Sequence, residues 1–133
     1  MQPDLAARAL VGVRFRPQGR SPEFGLDCVG LVLCAFALPD DLVRRDYRLR
    51  GDHRGEMLVA LAKPFRRIAR TQRRCGDVIL LKVAKEQLHL AILTDSGFVH
   101  ADARRGKVME FNGTPLWPIV AVFRRRVRKR RQS

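Results

Sequence analysis

The stretch Asp27-Cys28-Val29-Gly30-Leu31 places a cysteine where a turn-rich loop becomes an apolar helix. Upstream, residues 15–26 carry Pro17, Gly19, Pro22 and Gly25, all breakers of regular structure. Downstream, residues 30–38 are apolar on all sides and stop at Pro39. Asp27 is a good N-cap, because its carboxylate can accept from the first unpaired amides of the helix. A thiol at such a terminus lies near those amides and the positive end of the macrodipole. Both favour thiolate, and comparable sites bring a cysteine pKa from ~8.5 to roughly 3.5–7.5. The position points to a nucleophile, provided that a base lies nearby.

Outward from this helix, the first half of the chain reads as helical and the second as strands. Residues 4–11 form a short amphipathic helix with Leu5, Ala9 and Leu10 toward the core. Residues 56–62 form another, stopped by Pro64, and residues 66–74 are a basic connector. From Gly76-Asp77 onward the pattern changes. Residues 78–83, 88–93, 98–101, 107–111 and 119–123 are short strand-like runs separated by turns such as Asp95-Ser96-Gly97. Helices first and strands afterwards indicate an α+β fold, with N-terminal helices packed on an antiparallel sheet of about five strands. Residues 1–123 constitute that single domain. Residues 124–133, basic from Arg124 to Arg131, read as a disordered tail.

A chain of 133 residues is long enough to bury a core and too short for a second module. With 46% hydrophobic residues and no apolar run long enough to cross a bilayer, it reads as globular without a membrane span. The N-terminus lacks a basic-then-apolar leader, so the expectation is synthesis in the cytoplasm without a signal peptide. Three cysteines do not build a disulfide framework. Cys34 lies six residues after Cys28 and points roughly 240° round the helix. The two thiols therefore do not share a metal, and no metal or cofactor is expected. The net charge of +14 favours polyanionic partners such as nucleic acid or anionic wall polymers. Arginine-rich codon usage and an ordinary solvated surface explain the same charge.

A cysteine nucleophile needs a histidine to take its proton and a third group to hold that imidazole. His53 reads as a surface residue. His89 and His100 fall in neighbouring strands joined by the hairpin at Asp95-Ser96. His89 shares a face with Ala91 and Leu93, and His100 with Phe98 and Asp102. If the connecting loop holds an even number of residues, both imidazoles emerge on one face within reach of each other. An odd number would separate them. If that face carries the helix of Cys28, the set is complete: Cys28 attacks a carbonyl, His89 moves the proton, and His100 orients His89. The Cys28 amide would receive the oxyanion. Each residue has a plainer reading, since cysteines are commonly core and strand histidines commonly structural. The conjunction of all three, in this order, favours acyl transfer.

These residues resemble the NlpC-type cell-wall peptidases, a branch of the papain-like cysteine peptidases. The resemblance rests on a glycine-bearing loop at residues 12–19, Asp27-Cys28-Val29-Gly30-Leu31, Gly76-Asp77-Val78, His89-Leu90-Ala91-Ile92 and Val99-His100-Ala101. It spans residues 6–123. It implies a papain-like α+β fold, hydrolysis of amide bonds in peptidoglycan stem peptides, and Cys28, His89 and His100 as the catalytic triad. It also implies Asp27 near the amino end of the substrate. Phe15 stands where the family commonly has tyrosine, and Val29 where it commonly has serine, which removes two polar contacts to substrate. The chain is similar to the small versions in phage-tail and gene-transfer-agent clusters, which implies tail-particle partners and delivery to the wall by a virion-like particle or lysis.

Two other functions are compatible with the sequence: a non-catalytic tail or assembly protein on the same fold, and a polyanion-binding protein using its arginine-rich tail. An activated Cys28 would be alkylated well below pH 8 while Cys34 stays protected. Nucleic-acid binding would weaken steeply with salt.

Overall fold

The structure is a computed structural model, and it describes residues 2–43, 54–85 and 87–127. His53 lies outside them. Helix α1 (Pro3–Ala9) opens on a proline, whose missing amide costs nothing in the first turn. A two-stranded ladder, β1 (Arg20–Ser21) with β2 (Gly25–Leu26), closes the loop ahead of α2 (Cys28–Ala35). Helix α3 (Arg54–Leu61) precedes β3 (Phe65–Ile68), β4 (Val78–Ala84), β5 (Gln87–Leu93), β6 (Gly97–Asp102), β7 (Lys107–Asn112) and β8 (Ile119–Arg125). These six strands form one antiparallel sheet in the order β3-β8-β4-β5-β6-β7. The fold is α+β, as the order of elements in the sequence indicates.

Helix α2 is apolar all round, and a helix of that kind must be buried. Leu31 and Val32 join Leu80, Leu90, Ile92 and Val99 in the core on one face of the sheet. Ile79, Leu81, Ala91, Phe98 and Val122 make a second cluster on the other face, with Phe111 and Trp117 packed against it. The entry to α2 is fixed by close backbone approach. A Cβ on Gly30 would stand 2.0 Å from the carbonyl oxygen of Gly19, so no side chain fits there.

Three expectations are corrected. The sheet has six strands, because the basic connector contains β3. Phe65 and Ile68 are buried while Arg66 and Arg67 between them are exposed, which breaks the alternation that marks a strand. The partner of β3 is the far end of β8, with Phe65 opposite Arg125 and Arg66 opposite Arg124. Arg124 and Arg125 thus belong to the sheet and not to a tail; residues 128–133 lie outside the described ones. In α1 the core-facing residues are Ala6, Ala7 and Leu10, whereas Leu5 and Ala9 are exposed. The alanines let this short helix lie against α2.

Asp77 ties these strands together. Its buried carboxylate takes Arg124 Nε and Nη2, both at 2.8 Å, and the Arg74 amide at 2.9 Å. A bidentate pair of this kind carries two charge-assisted hydrogen bonds, and removing Asp77 also leaves the Arg74 amide without its acceptor. Asp77→Ala should lower the unfolding free energy by ~2–3 kcal/mol in urea melts, since the remaining Arg124 reaches solvent. A change below about 1 kcal/mol would mark the pair as an ordinary surface contact.

Candidate active site

The hairpin between β5 and β6 settles where the two histidines point. The Thr94 amide donates to the Gly97 carbonyl at 2.9 Å, and the Gly97 amide donates to Thr94 Oγ1 at 3.0 Å. The tip between them is Asp95-Ser96, an even count. Gly97 admits no side chain, since a Cβ would meet the Phe111 carbonyl oxygen at 1.8 Å. The ladder pairs Leu93 with Phe98 and Ile92 with Val99. One further step sets Ala91 opposite His100, and the imidazoles meet: His89 Nε2 lies 2.8 Å from His100 Nδ1. Trp117 leans over both rings, with centroids 6.3 Å from His89 and 6.0 Å from His100. Phe98 and Phe111 flank His100.

One of these two nitrogens carries the proton and the other accepts it. Among the described residues His89 Nδ1 has no hydrogen bond, and it is not sealed from solvent as His100 Nε2 is. Burial, then the neighbouring His100, pushes the His89 pKa down to about 4, with Asp102 opposing. Burial lowers that of His100 too. At pH 7 both rings are neutral.

Cys28 opens α2, and Asp27 caps it by accepting from the Gly30 amide at 2.8 Å. The other Asp27 oxygen accepts from the Gln18 amide at 2.9 Å, and Gln18 holds a left-handed φ of 58°. Burial raises the Asp27 pKa against these amides. Phe15 bridges Leu26 just ahead of this pair and packs half-buried on the core. Of the five candidate residues, Asp27, Cys28 and Phe15 are gathered at the start of α2, and His89 and His100 on the sheet.

Two expectations about the thiol are reversed. Cys28 is 2% exposed, and its pKa is pushed up to about 12, first by burial and then by the charge of Asp27. The amides of Leu90, Val29 and Cys28 act in the opposite direction and are outweighed. In addition, α2 covers the face opposite to the imidazoles: Cys28 packs with Leu90 and Val99, whereas the rings sit with Trp117 and Phe98. The ladder between β5 and β6 stops at Ile92 and Val99. No hydrogen bond joins Cys28 to either ring among the described residues. Cys34 is half-buried rather than core, with its thiol 3.5 Å from the Arg20 carbonyl oxygen.

Two residues at the site were not assigned a role from sequence. Asp102 lies 3.8 Å from His100 Nε2, two residues on along the same strand and therefore on the same face. That spacing was the available signal. Trp117 comes from an irregular segment whose course no local pattern reveals. A groove of about 430 Å³ is lined by Arg16, Gln18, Arg20, Phe24 and Asp40, and none of the five candidates lines it. Another, of about 610 Å³, is lined by Arg67, Arg70 and Pro118 and touches none of the five candidates.

Helices packed on a six-stranded antiparallel sheet make this an α+β protein. Residues 12–124 match the NlpC/P60 family, and the chain belongs to that family. Solved structures agree on the fold. NlpC1 from Trichomonas vaginalis superposes with a TM-score of 0.66 at 16% identity, covering 90% of this chain and 41% of that one. The NlpC/P60 domain of the peptidoglycan hydrolase SagA gives 0.56 at 20% identity, covering 84% and 86%. The peptidoglycan hydrolase RipB from Mycobacterium tuberculosis gives 0.60 at 22%, covering 92% and 62%. The chain thus spans about two fifths of the Trichomonas protein and 62% of RipB. No curated protein sequence matches it. Among the described residues no helix is long and apolar enough to cross a membrane.

With its thiol buried and protonated, Cys28 should be alkylated by iodoacetamide more slowly than exposed Cys75 in ligand-free protein. Its rate should climb with pH without an inflection below pH 8. A Cys28 rate that leads and levels off below pH 7 would contradict the assignment of a neutral resting thiol.

Proposed function

We propose that this protein is a cysteine peptidase of the cell wall that hydrolyses amide bonds in peptidoglycan stem peptides. The observation that carries the proposal is the 2.8 Å contact between His89 and His100, which leaves His89 Nδ1 open and, in the tautomer where His89 donates, able to act as a base. At rest the thiol and the imidazole are both neutral. Catalytic hydrogen bonds often form only in the substrate complex, and the proposal requires Cys28 and His89, which no hydrogen bond joins at rest among the described residues, to meet there. The sulfur then attacks the amide carbon while its proton passes to His89 Nδ1. The amide at the start of α2 receives the negative oxygen. His89 returns the proton to the leaving amine, and water hydrolyses the thioester through the same base. Asp27 meets the amino end of the substrate, and Phe15 lines the approach without offering a hydroxyl.

The same proposal extends to a place in a phage-like tail or gene-transfer particle, with tail proteins as partners, and rests there on the resemblance of the sequence alone. Arg124 is committed to Asp77, so polyanion contact falls to Arg126 and the basic residues beyond it.

A second reading, a non-catalytic assembly protein on this fold, is favoured by the 2% exposure of Cys28. Purified protein and a Cys28→Ala variant, each incubated with peptidoglycan and analysed by mass spectrometry, separate the two. Fragments released by the wild type alone support the peptidase and identify the bond. Identical, undigested material from both supports the assembly protein.

The pH profile offers another check. Below about pH 4, the value to which burial pushes His89, that ring is protonated and cannot take the thiol proton. The acid limb of kcat/KM should therefore fall near pH 4 and belong to the pair as a unit. A limb near pH 6.5, the value of a solvated histidine, would contradict a desolvated base.

A further inference from the structure

We propose that Asp102 is a positioning residue that fixes which nitrogen of His100, and through it of His89, carries the proton. The inference rests on the peptidase reading and deepens it. His100 Nε2 is buried and has no hydrogen-bond partner among the described residues. Buried polar atoms left this way are few, and each calls for an explanation. The group facing it is the Asp102 carboxylate, with Oδ2 at 3.8 Å, in ion-pair rather than hydrogen-bond range.

Asp102 is itself firmly held. Its Oδ1 accepts from the amides of Arg104 and Arg105 at 2.9 and 3.1 Å, and its Oδ2 from Arg105 Nη1 at 2.9 Å. Burial is the largest effect and opposes its charge, but Arg105, His100 and the Arg104 amide together outweigh it and keep the carboxyl below its ordinary value. The Arg105 guanidinium in turn rests over Phe111, 5.0 Å from the ring centre. The charged groups acting on His100 are thus Asp102 and Arg105, and those acting on His89 are His100 and Asp102.

A fixed negative charge beside Nε2 favours the tautomer with hydrogen on that nitrogen. His100 Nδ1 is then an acceptor, and the 2.8 Å contact must be donated by His89 Nε2–H. His89 Nδ1 is left bare, which is the form a base requires. When the thiol proton arrives there, the positive charge on the rings faces the Asp102 carboxylate. With the opposite tautomer of His100, His89 would carry its hydrogen on Nδ1 and could accept nothing from Cys28.

Asp102→Asn tests this, since an Asn oxygen can still accept from the Arg104 and Arg105 amides while the charge is gone. Nitrogen-15 NMR of the imidazoles at pH 7 reads the tautomers directly, even in protein that hydrolyses nothing. In the wild type, His89 and His100 should both carry hydrogen on Nε2. In Asp102→Asn the Nε2 preference of His100 should be lost, and kcat on a soluble stem peptide should fall about tenfold or more, with KM within about twofold. A wild-type His100 protonated on Nδ1 overturns the proposal, whether or not the variant folds. So does a folded Asp102→Asn protein with unchanged tautomers. Unchanged tautomers refute only Asp102, whereas absent turnover with the expected tautomers refutes only the peptidase.

Discussion

A hydrogen bond between two neutral imidazoles has one donor and one acceptor, so making it decides the proton position on both rings at once. The contact between His89 and His100 imposes that constraint, and it exists because the hairpin tip holds two residues and not three. A one-residue change in the tip would put the rings on opposite faces of the sheet. Gly97 protects the count, because any side chain there would collide with the backbone of β7. Strand register thus controls proton chemistry several residues away. Phe98 and Phe111 flank His100, Trp117 leans over both rings, and desolvation holds the imidazoles neutral while His89 Nδ1 keeps its access to solvent.

The cysteine obeys a different balance. Helix-terminal amides do act on Cys28 in the direction of thiolate, as does the Leu90 amide from the sheet. Desolvation is larger, because the same tight entry that seats α2 against Gly19 also seals the sulfur in the core. A buried neutral thiol and a neutral imidazole that are not joined at rest store no charge before substrate arrives. Such an enzyme would rely on general-base transfer during attack rather than on a standing ion pair, which places more demand on the tautomer of His89.

Much of the architecture was legible because its residues obey local rules. The strands from Val78 onward are short apolar runs between turn-formers, and the N-cap at Asp27 followed by an all-apolar run marks α2. Strand β3 was hidden because Arg66 and Arg67 both face solvent, so alternation fails where edge pairing with β8 decides the structure. The boundary at Arg124 was misplaced for a related reason. An arginine run resembles a tail unless the buried partner, Asp77, is known to lie 47 positions earlier. Leu5 was assigned inward on hydropathy alone, whereas small alanines make the contact with α2. The pairing of His89 with His100 followed from alternation and loop parity. The burial of Cys28 did not, because it depends on strands that come 50 residues and more after it.

The central claim, transfer of the Cys28 proton to His89 during acylation, is tested most directly by trapping the covalent state. Protein mixed with a soluble stem peptide, quenched in acid during turnover, digested and measured by mass spectrometry should carry the acyl group on the peptide containing Cys28. The adduct should be missing when His89 is replaced by alanine. An adduct on Cys34 or Cys75, or one on Cys28 that forms equally well without His89, would contradict it.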